Sequence, residues 1–354
     1  MKTVPRRKGN MVLWIGTALC ALVFGLTLPR PRCLLALGML LLLLPLPPWQ
    51  RLLGRLLRRE WLRPVLLVVF GVSFCFFGIM SRVGWDWLKP RAEMPEGSSF
   101  EIRFLGVGQG DATLIKCDGH AMLVDGGSSS KSGVMYTYLK NLSVYRLDCV
   151  VCTHPHDDHL GGLNGALHWA TADRAFCNVT EYDSYQFQTF TETLAQWNVK
   201  PEVPEIGRAY TLGSATYTFL APTQEAEDPN DLSLVLRVTY GNTSFLIMSD
   251  AGFAEEASLL AAGTDVKSTV LRVGHHGSAG STSEEFLQAV NPELAVISVG
   301  YANEYGHPSE RVKRLLAQNG VPYYMTNREG DIVIASDGND LTVTTSPRSS
   351  QTGG

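Results

Sequence analysis

Along residues 121–308, short apolar runs of strand character end again and again in a histidine or an aspartate. Residues 121–124 lead into Asp125, 147–152 into His154, His156, Asp158 and His159, 244–248 into Asp250, and 268–273 into His275 and His276. The run 295–299 precedes Tyr305-Gly306-His307-Pro308. In a layered α/β fold, side chains at the ends of neighbouring strands converge on one edge, so this recurrence restricts the chain to such a fold. The densest piece, Thr153-His154-Pro155-His156-Asp157-Asp158-His159, crowds three imidazoles and two carboxylates into one turn, with Asp158 the candidate ligand. Neutral imidazole and carboxylate suit zinc and other first-row divalent ions, and the loop reads as a metal site.

The pattern around these points supports a mixed α/β architecture. Strands are expected at 101–105, 111–116 and 121–124, joined by the turn Gly106-Val107-Gly108-Gln109-Gly110 and by Asp118-Gly119, a favoured hairpin pair. A helix fits 134–142, and a buried strand at 147–152 leads into the histidine loop. Helices are expected at 163–169, 185–197, 284–290 and 310–319, and strands at 209–212, 215–220, 232–240, 244–248, 268–273, 295–299 and 331–334. Two mixed sheets with helices on their outer faces account for this order. Asp111 and Gln109 read as anchors of the Gly108–Asp111 turn.

Composition changes near residue 97. Three apolar runs, 11–28, 33–49 and 65–80, precede it. A bilayer-spanning helix takes roughly 20 apolar residues, about 17 at the lower end, so residues 1–89 read as a membrane region with about three transmembrane helices. Lys2, Arg6, Arg7 and Lys8 resemble the charged start of a signal peptide, but 26–31 offers no small-x-small cleavage pattern, which favours an anchor. Cations gather at the amino terminus and again at Arg51, Arg55, Arg58, Arg59 and Arg63. The positive-inside rule puts both in the cytoplasm and, with three spans, the rest of the chain outside the cell membrane. Residues 90–99 read as a linker, 100–346 as the folded domain that carries the histidine loop and 347–354 as a disordered tail.

Residues 98–354 hold 16 basic and 30 acidic side chains, a net charge of −14, which argues against a general nucleic-acid coat. Cys149 and Cys152 form a Cys-x-x-Cys pair, but it lies in an apolar strand with no second pair, so both read as small buried hydrophobes.

The ordered set is specific enough to resemble a family. His-x-His-x-Asp-His after a strand, with an Asp upstream and an Asp and His downstream, resembles the metallo-β-lactamase superfamily. The finer likeness is to the carboxy-terminal domain of ComEC-type competence proteins. It rests on 104–112 (FLGVGQGDA), 124–127 (VDGG), 153–156 (THPH) with 158–162 (DHLGG), and 274–278 (GHHGS). The resemblance implies an αββα sandwich with two divalent ions, zinc or manganese, at one edge. His154 and His156 would hold the first ion and Asp158 and His159 the second; Asp250 would bridge them, and one of His275 and His276 would complete the second ion's shell. Asp125 would orient a ligand histidine from behind. One departure stands out: no histidine occurs between His168 and His275, and 230–233 (NDLS) stands where one is usual.

Two such ions activate a shared water and clamp the oxygens of an in-line displacement at phosphorus. Asp158, His307 and Asp125 are the residues expected to act in catalysis, with His307 protonating the leaving oxygen or hydrogen-bonding a phosphate. Gly277 and Ser278 are the expected phosphate contacts. Ser281 with Glu284 fits a capping box, which would open a helix amino terminus toward the metals. The expected function is a membrane-anchored phosphodiesterase or nuclease, with single-stranded DNA as substrate and other DNA-uptake or envelope subunits as partners. A cell-envelope esterase of the teichoic-acid phosphorylcholine kind and a non-catalytic binding module are the alternatives.

Overall fold

The computed structural model describes residues 100–222, 229–301 and 303–346, all within the unit Lys89–Gly354. The expected transmembrane helices, linker and tail lie outside the described residues. Among the described residues no helix is long and apolar enough to cross a membrane.

Strands β1 (Phe100–Phe104), β2 (Thr113–Cys117) and β3 (His120–Val124) form an antiparallel meander whose alternating side chains give each strand two apolar faces. Helix α1 (Ser132–Asn141) follows, then the short β4 (Arg146–Leu147) and β5 (Cys149–Cys152), which pairs with β3 in parallel. The single strand expected over 147–152 is broken at Asp148, whose carboxylate accepts the Ala121 amide at 2.9 Å and meets His120 Nδ1 at 2.7 Å. Helices α2 (Asp157–Leu160) and α3 (Leu163–Trp169) lead to β6 (Thr171–Ala172) and β7 (Ala175–Cys177), and α4 (Tyr185–Ala195) leads to β8 (Pro201–Glu202). Ser184 caps α4 by accepting the Phe187 amide at 3.1 Å.

The second half repeats the scheme. An antiparallel meander of β9 (Ala209–Leu212), β10 (Ala215–Ala221), β11 (Val235–Tyr240) and β12 (Thr243–Ile247) passes through α5 (Phe253–Ala261) into parallel β13 (Val270–Arg272). Helix α6 (Glu284–Val290) connects to β14 (Leu294–Ile297), and α7 (Glu310–Gln318) to β15 (Tyr323–Met325). After α8 (Thr326–Glu329), β16 (Asp331–Ser336) and β17 (Leu341–Ser346) return to the first sheet beside β1. The orders are β17-β16-β1-β2-β3-β5-β7-β8 and β15-β14-β13-β12-β11-β10-β9.

The two sheets face each other across a core of Phe100, Ile102, Phe104, Phe176, Phe219, Leu236 and Phe245. Full burial of each of these side chains stabilises by about 1.5–3 kcal/mol. Leu114, Leu123 and Val150 face the other way, onto Met135, Leu163, Phe190 and Leu194 from α1, α3 and α4. Leu246, Leu271 and Ile297 likewise meet Leu259, Phe286, Leu287 and Leu316 from α5, α6 and α7. Helices therefore cover both outer faces, giving the αββα sandwich. The four cysteines of this region are buried and free.

Candidate metal centre

Parallel strands laid side by side end on the same edge, and this places the polar groups. Asp125 follows β3 and the histidine loop follows the adjacent β5; Asp250 follows β12, and His275 and His276 follow the adjacent β13. The two edges are stitched by Ser249 Oγ donating to Thr153 Oγ1 at 2.6 Å. Asp125, Ser249, His275 and His276 all adopt positive φ, an unfavourable backbone for such residues, and their clustering marks a functional edge.

Four donors converge. His159 Nε2 lies 3.3 Å and His276 Nε2 3.5 Å from Asp250 Oδ1, while Asp158 Oδ2 is 3.9 Å and 3.5 Å from the same two nitrogens. Each ring is turned by its far nitrogen: His159 Nδ1 meets Asp125 Oδ2 at 2.8 Å, and His276 Nδ1 donates to the Ser298 carbonyl at 3.0 Å. With the proton on Nδ1, each Nε2 presents a lone pair. His159 Nε2, Asp250 Oδ1 and His276 Nε2 are buried with no hydrogen-bond partner among the described residues. Orphaned buried polar atoms cost free energy unless something fills the gap between them. Donors about 2.0–2.1 Å from a tetrahedral zinc stand about 3.4 Å apart, so these separations fit a divalent ion.

The electrostatics agree. Burial opposes charge on His159, yet Asp250 and Asp125 hold its imidazole well above the usual range. Burial would raise the Asp250 carboxyl, but His276 and His159 hold it well below the carboxylate range. The cluster draws positive charge to itself.

The second pair is sparser. His154 Nε2 stands 3.1 Å from His156 Nδ1, and His154 Nδ1 has Ser233 Oγ and Thr153 Oγ1 each at 3.3 Å. Burial pushes the His154 imidazole well below its ordinary range, keeping it neutral as a ligand must be. His275 Nε2 reaches the other oxygen of Asp250, Oδ2, at 3.6 Å. His276 is thus the buried member of the four-donor group, and His275, a third exposed, stands at its mouth. A cavity of about 180 Å³ opens there, lined by His156, Asp158, Asn230, His275, Tyr305 and His307 among others. The His307 ring stands 5.7 Å from that of His275, and its imidazole is held below the usual range by burial and by His276 and His275.

Asp125 is buried behind the cluster, accepting the Thr153 amide at 2.8 Å and the Thr153 hydroxyl at 2.7 Å besides meeting His159.

Several expectations need correction. Ser281 does not cap α6; its hydroxyl donates to the Gly274 carbonyl at 2.7 Å, and Ser283 is the cap, accepting the Phe286 amide at 3.2 Å. The amides of Thr282 and Ser283 are taken by the Glu256 carboxylate, so that helix start offers them to no phosphate. Of the expected phosphate contacts, Ser278 spends its amide on the His275 carbonyl at 2.8 Å. Gly277, at φ +80, is needed for close approach, since a Cβ there would stand 2.6 Å from Pro308 Cβ. Asp111 does more than hold a turn. It is buried, pairs with the buried Arg272, and its carboxylate lies within ligand reach of His159, Asp250 and His276. Neither Asp111 nor Arg272 was identifiable as part of the site from sequence; the one signal was a lone arginine inside the apolar run 268–273.

Comparison with known proteins places this edge in a family. Residues 105–301 match the model of the metallo-beta-lactamase superfamily. The chain is 28% identical over 256 residues to ComE operon protein 3 of Bacillus subtilis, covering 66% of this chain and 33% of that protein. It is 30% identical over 271 residues to competence protein ComA of Neisseria gonorrhoeae, covering 75% and 36%. Among solved structures, the metallo-beta-lactamase fold protein YhfI from Bacillus subtilis aligns with a TM-score of 0.46 at 16% identity, over 67% of this chain and 100% of that one. The chain spans about a third of the length of the curated relatives it matches. With the matched segment running through every donor from Asp111 to His276, the chain belongs to the metallo-beta-lactamase superfamily and is similar there to competence proteins.

Proposed function

We propose that this chain is a metal-dependent phosphodiesterase, anchored in the cell membrane by residues 1–89, that binds two divalent ions, zinc or manganese, and cleaves single-stranded DNA. The observation that carries the reading is the convergence of His159 Nε2, Asp250 Oδ1 and His276 Nε2, three buried atoms with no hydrogen-bond partner among the described residues. Divalent ions in such a site acidify a bound water and neutralise charge at a phosphoryl group. The chain's own residues do the rest. Asp125 fixes the His159 tautomer and Ser298 that of His276, so both rings meet the ion without reorganising. Asp250 is shared, one oxygen toward His159 and His276 and the other toward His275. His307, kept neutral, serves as a hydrogen-bond donor to a phosphate oxygen more readily than as an acid. The net charge of −14 on residues 98–354 argues against a broad nucleic-acid-binding surface, which would confine contact with a strand to the metal edge.

The test uses the purified full-length chain with bis(p-nitrophenyl) phosphate and zinc or manganese, then single-stranded oligonucleotides beside choline phosphodiesters. Turnover that His156→Ala abolishes supports the reading, and preference for the oligonucleotide supports the DNA assignment. Metal bound without turnover of any of these substrates would instead make the domain a binding module.

A further inference from the structure

The Gly108–Asp111 turn and Arg272 belong to opposite sheets and meet under the metal ligands. Arg272, the last residue of β13, is 1% exposed and the largest fully buried side chain described. Its guanidinium pairs with the Asp111 carboxylate and donates to the Ser249 carbonyl, next to Asp250, at 2.5 Å. It also stands 3.4 Å from His276 Nδ1. On the other side, the Asp111 amide donates to the Asp158 carbonyl at 3.1 Å, and the Asp111 carbonyl accepts the Gly127 amide at 2.6 Å. Gly110 packs so closely that a Cβ there would overlap the Asp158 carbonyl oxygen. Gln109 Oε1 completes the grip by accepting the Gly300 amide of the second half at 3.1 Å. The contacts on Asp158 and His276 fall on the backbone or the back of residues that carry a donor, and the one on Ser249 falls beside Asp250.

We propose that Asp111 and Arg272 are positioning residues: a buried ion pair across the two sheets that sets the separation of Asp158, Asp250 and His276 without itself touching the ion. Burying an arginine is costly, and a pair of this kind is kept where it fixes one arrangement. The Asp111 oxygens face the Nδ1 side of His159 and His276, at 3.8 and 3.9 Å, whereas the Asp158 and Asp250 oxygens face Nε2. Asp111 therefore sits behind the rings.

The inference rests on the cluster being a metal centre, and the experiment separates the two. Cobalt(II) affinity, the cobalt absorption spectrum and the Tm of the metal-free protein are measured for the full-length chain, Asp111→Asn, Arg272→Met and the double variant. Wild type that binds no cobalt would overturn the metal reading itself. With wild type binding, Asp111→Asn is expected to weaken cobalt binding about 10- to 100-fold, the scale for groups that orient ligands, with an unchanged spectral shape. The double variant is expected to lose no more than Asp111→Asn alone, because both changes break the same pair. A lowered metal-free Tm with unchanged affinity would make the pair merely structural. A changed spectral shape in Asp111→Asn would make Asp111 a ligand, and single losses that simply add in the double variant would remove the coupling; each overturns the proposal. Arg272→Lys, which keeps the charge but not the fork, supplies the same affinity reading where Asp111→Asn yields no folded protein, and wild-type affinity there overturns it equally.

Discussion

The His154–His156 pair and the group of Asp158, His159, Asp250 and His276 share one edge of the sandwich but are built to different standards. The four-donor group takes ligands from both sheets, and both of its histidine rings are held from behind, by Asp125 and by the Ser298 carbonyl. The two-histidine group takes both rings from one loop, and its neighbours at His154 Nδ1 are two hydroxyls at 3.3 Å. Donor count and rigidity set how tightly a cation is held, so on the proposed two-ion reading the four-donor group would hold its ion more tightly than the two-histidine group.

The largest effect that would break this comparison comes from the shared carboxylate. Asp250→Ala should remove both ions and drop phosphodiester turnover to background, as read by elemental analysis and a chromogenic assay; retention of one tightly held ion would show that the halves are not joined through Asp250. His156→Ala sharpens it. Turnover should be lost while the four-donor group keeps its ion in calorimetric titration, and loss of both ions would deny the asymmetry. Asp125→Asn should weaken the tight ion about 10- to 100-fold by releasing the His159 ring. The same change should cost about 1–3 kcal/mol of stability in denaturant unfolding, because Thr153 loses a buried acceptor. The smallest effect is a gain: Asn230→His adds an imidazole to the cavity wall beside His156 and should tighten the weaker ion several-fold, about tenfold at most. Unaltered affinity there would mean that donor number is not what limits that half.

Much of this edge was legible in the sequence because strand ends are. An apolar run followed by a polar residue needs only local pattern, and Asp125, Asp250 and the histidine loop were found that way. What stayed hidden depended on partners far along the chain. The Gly108–Asp111 turn reads as an ordinary hairpin because nothing near it announces Arg272 in the other sheet. Ser281 and Ser283 are both plausible caps for α6, and the choice is made by Glu256 from α5, which claims the amides between them. His275 and His276 are adjacent, and only the left-handed backbone at both decides which ring turns inward. Asp148 interrupts an otherwise continuous apolar run, and its two carboxylate oxygens are taken separately by His120 and Ala121 of the neighbouring strand.

The account stands on a cation between His159 Nε2, Asp250 Oδ1, His276 Nε2 and Asp158 Oδ2. Crystals of the full-length chain grown with zinc or manganese, with data collected on either side of that metal's absorption edge, test it directly. An anomalous peak bounded by those four atoms is the predicted result. A metal-loaded protein whose anomalous peaks all fall elsewhere would contradict it.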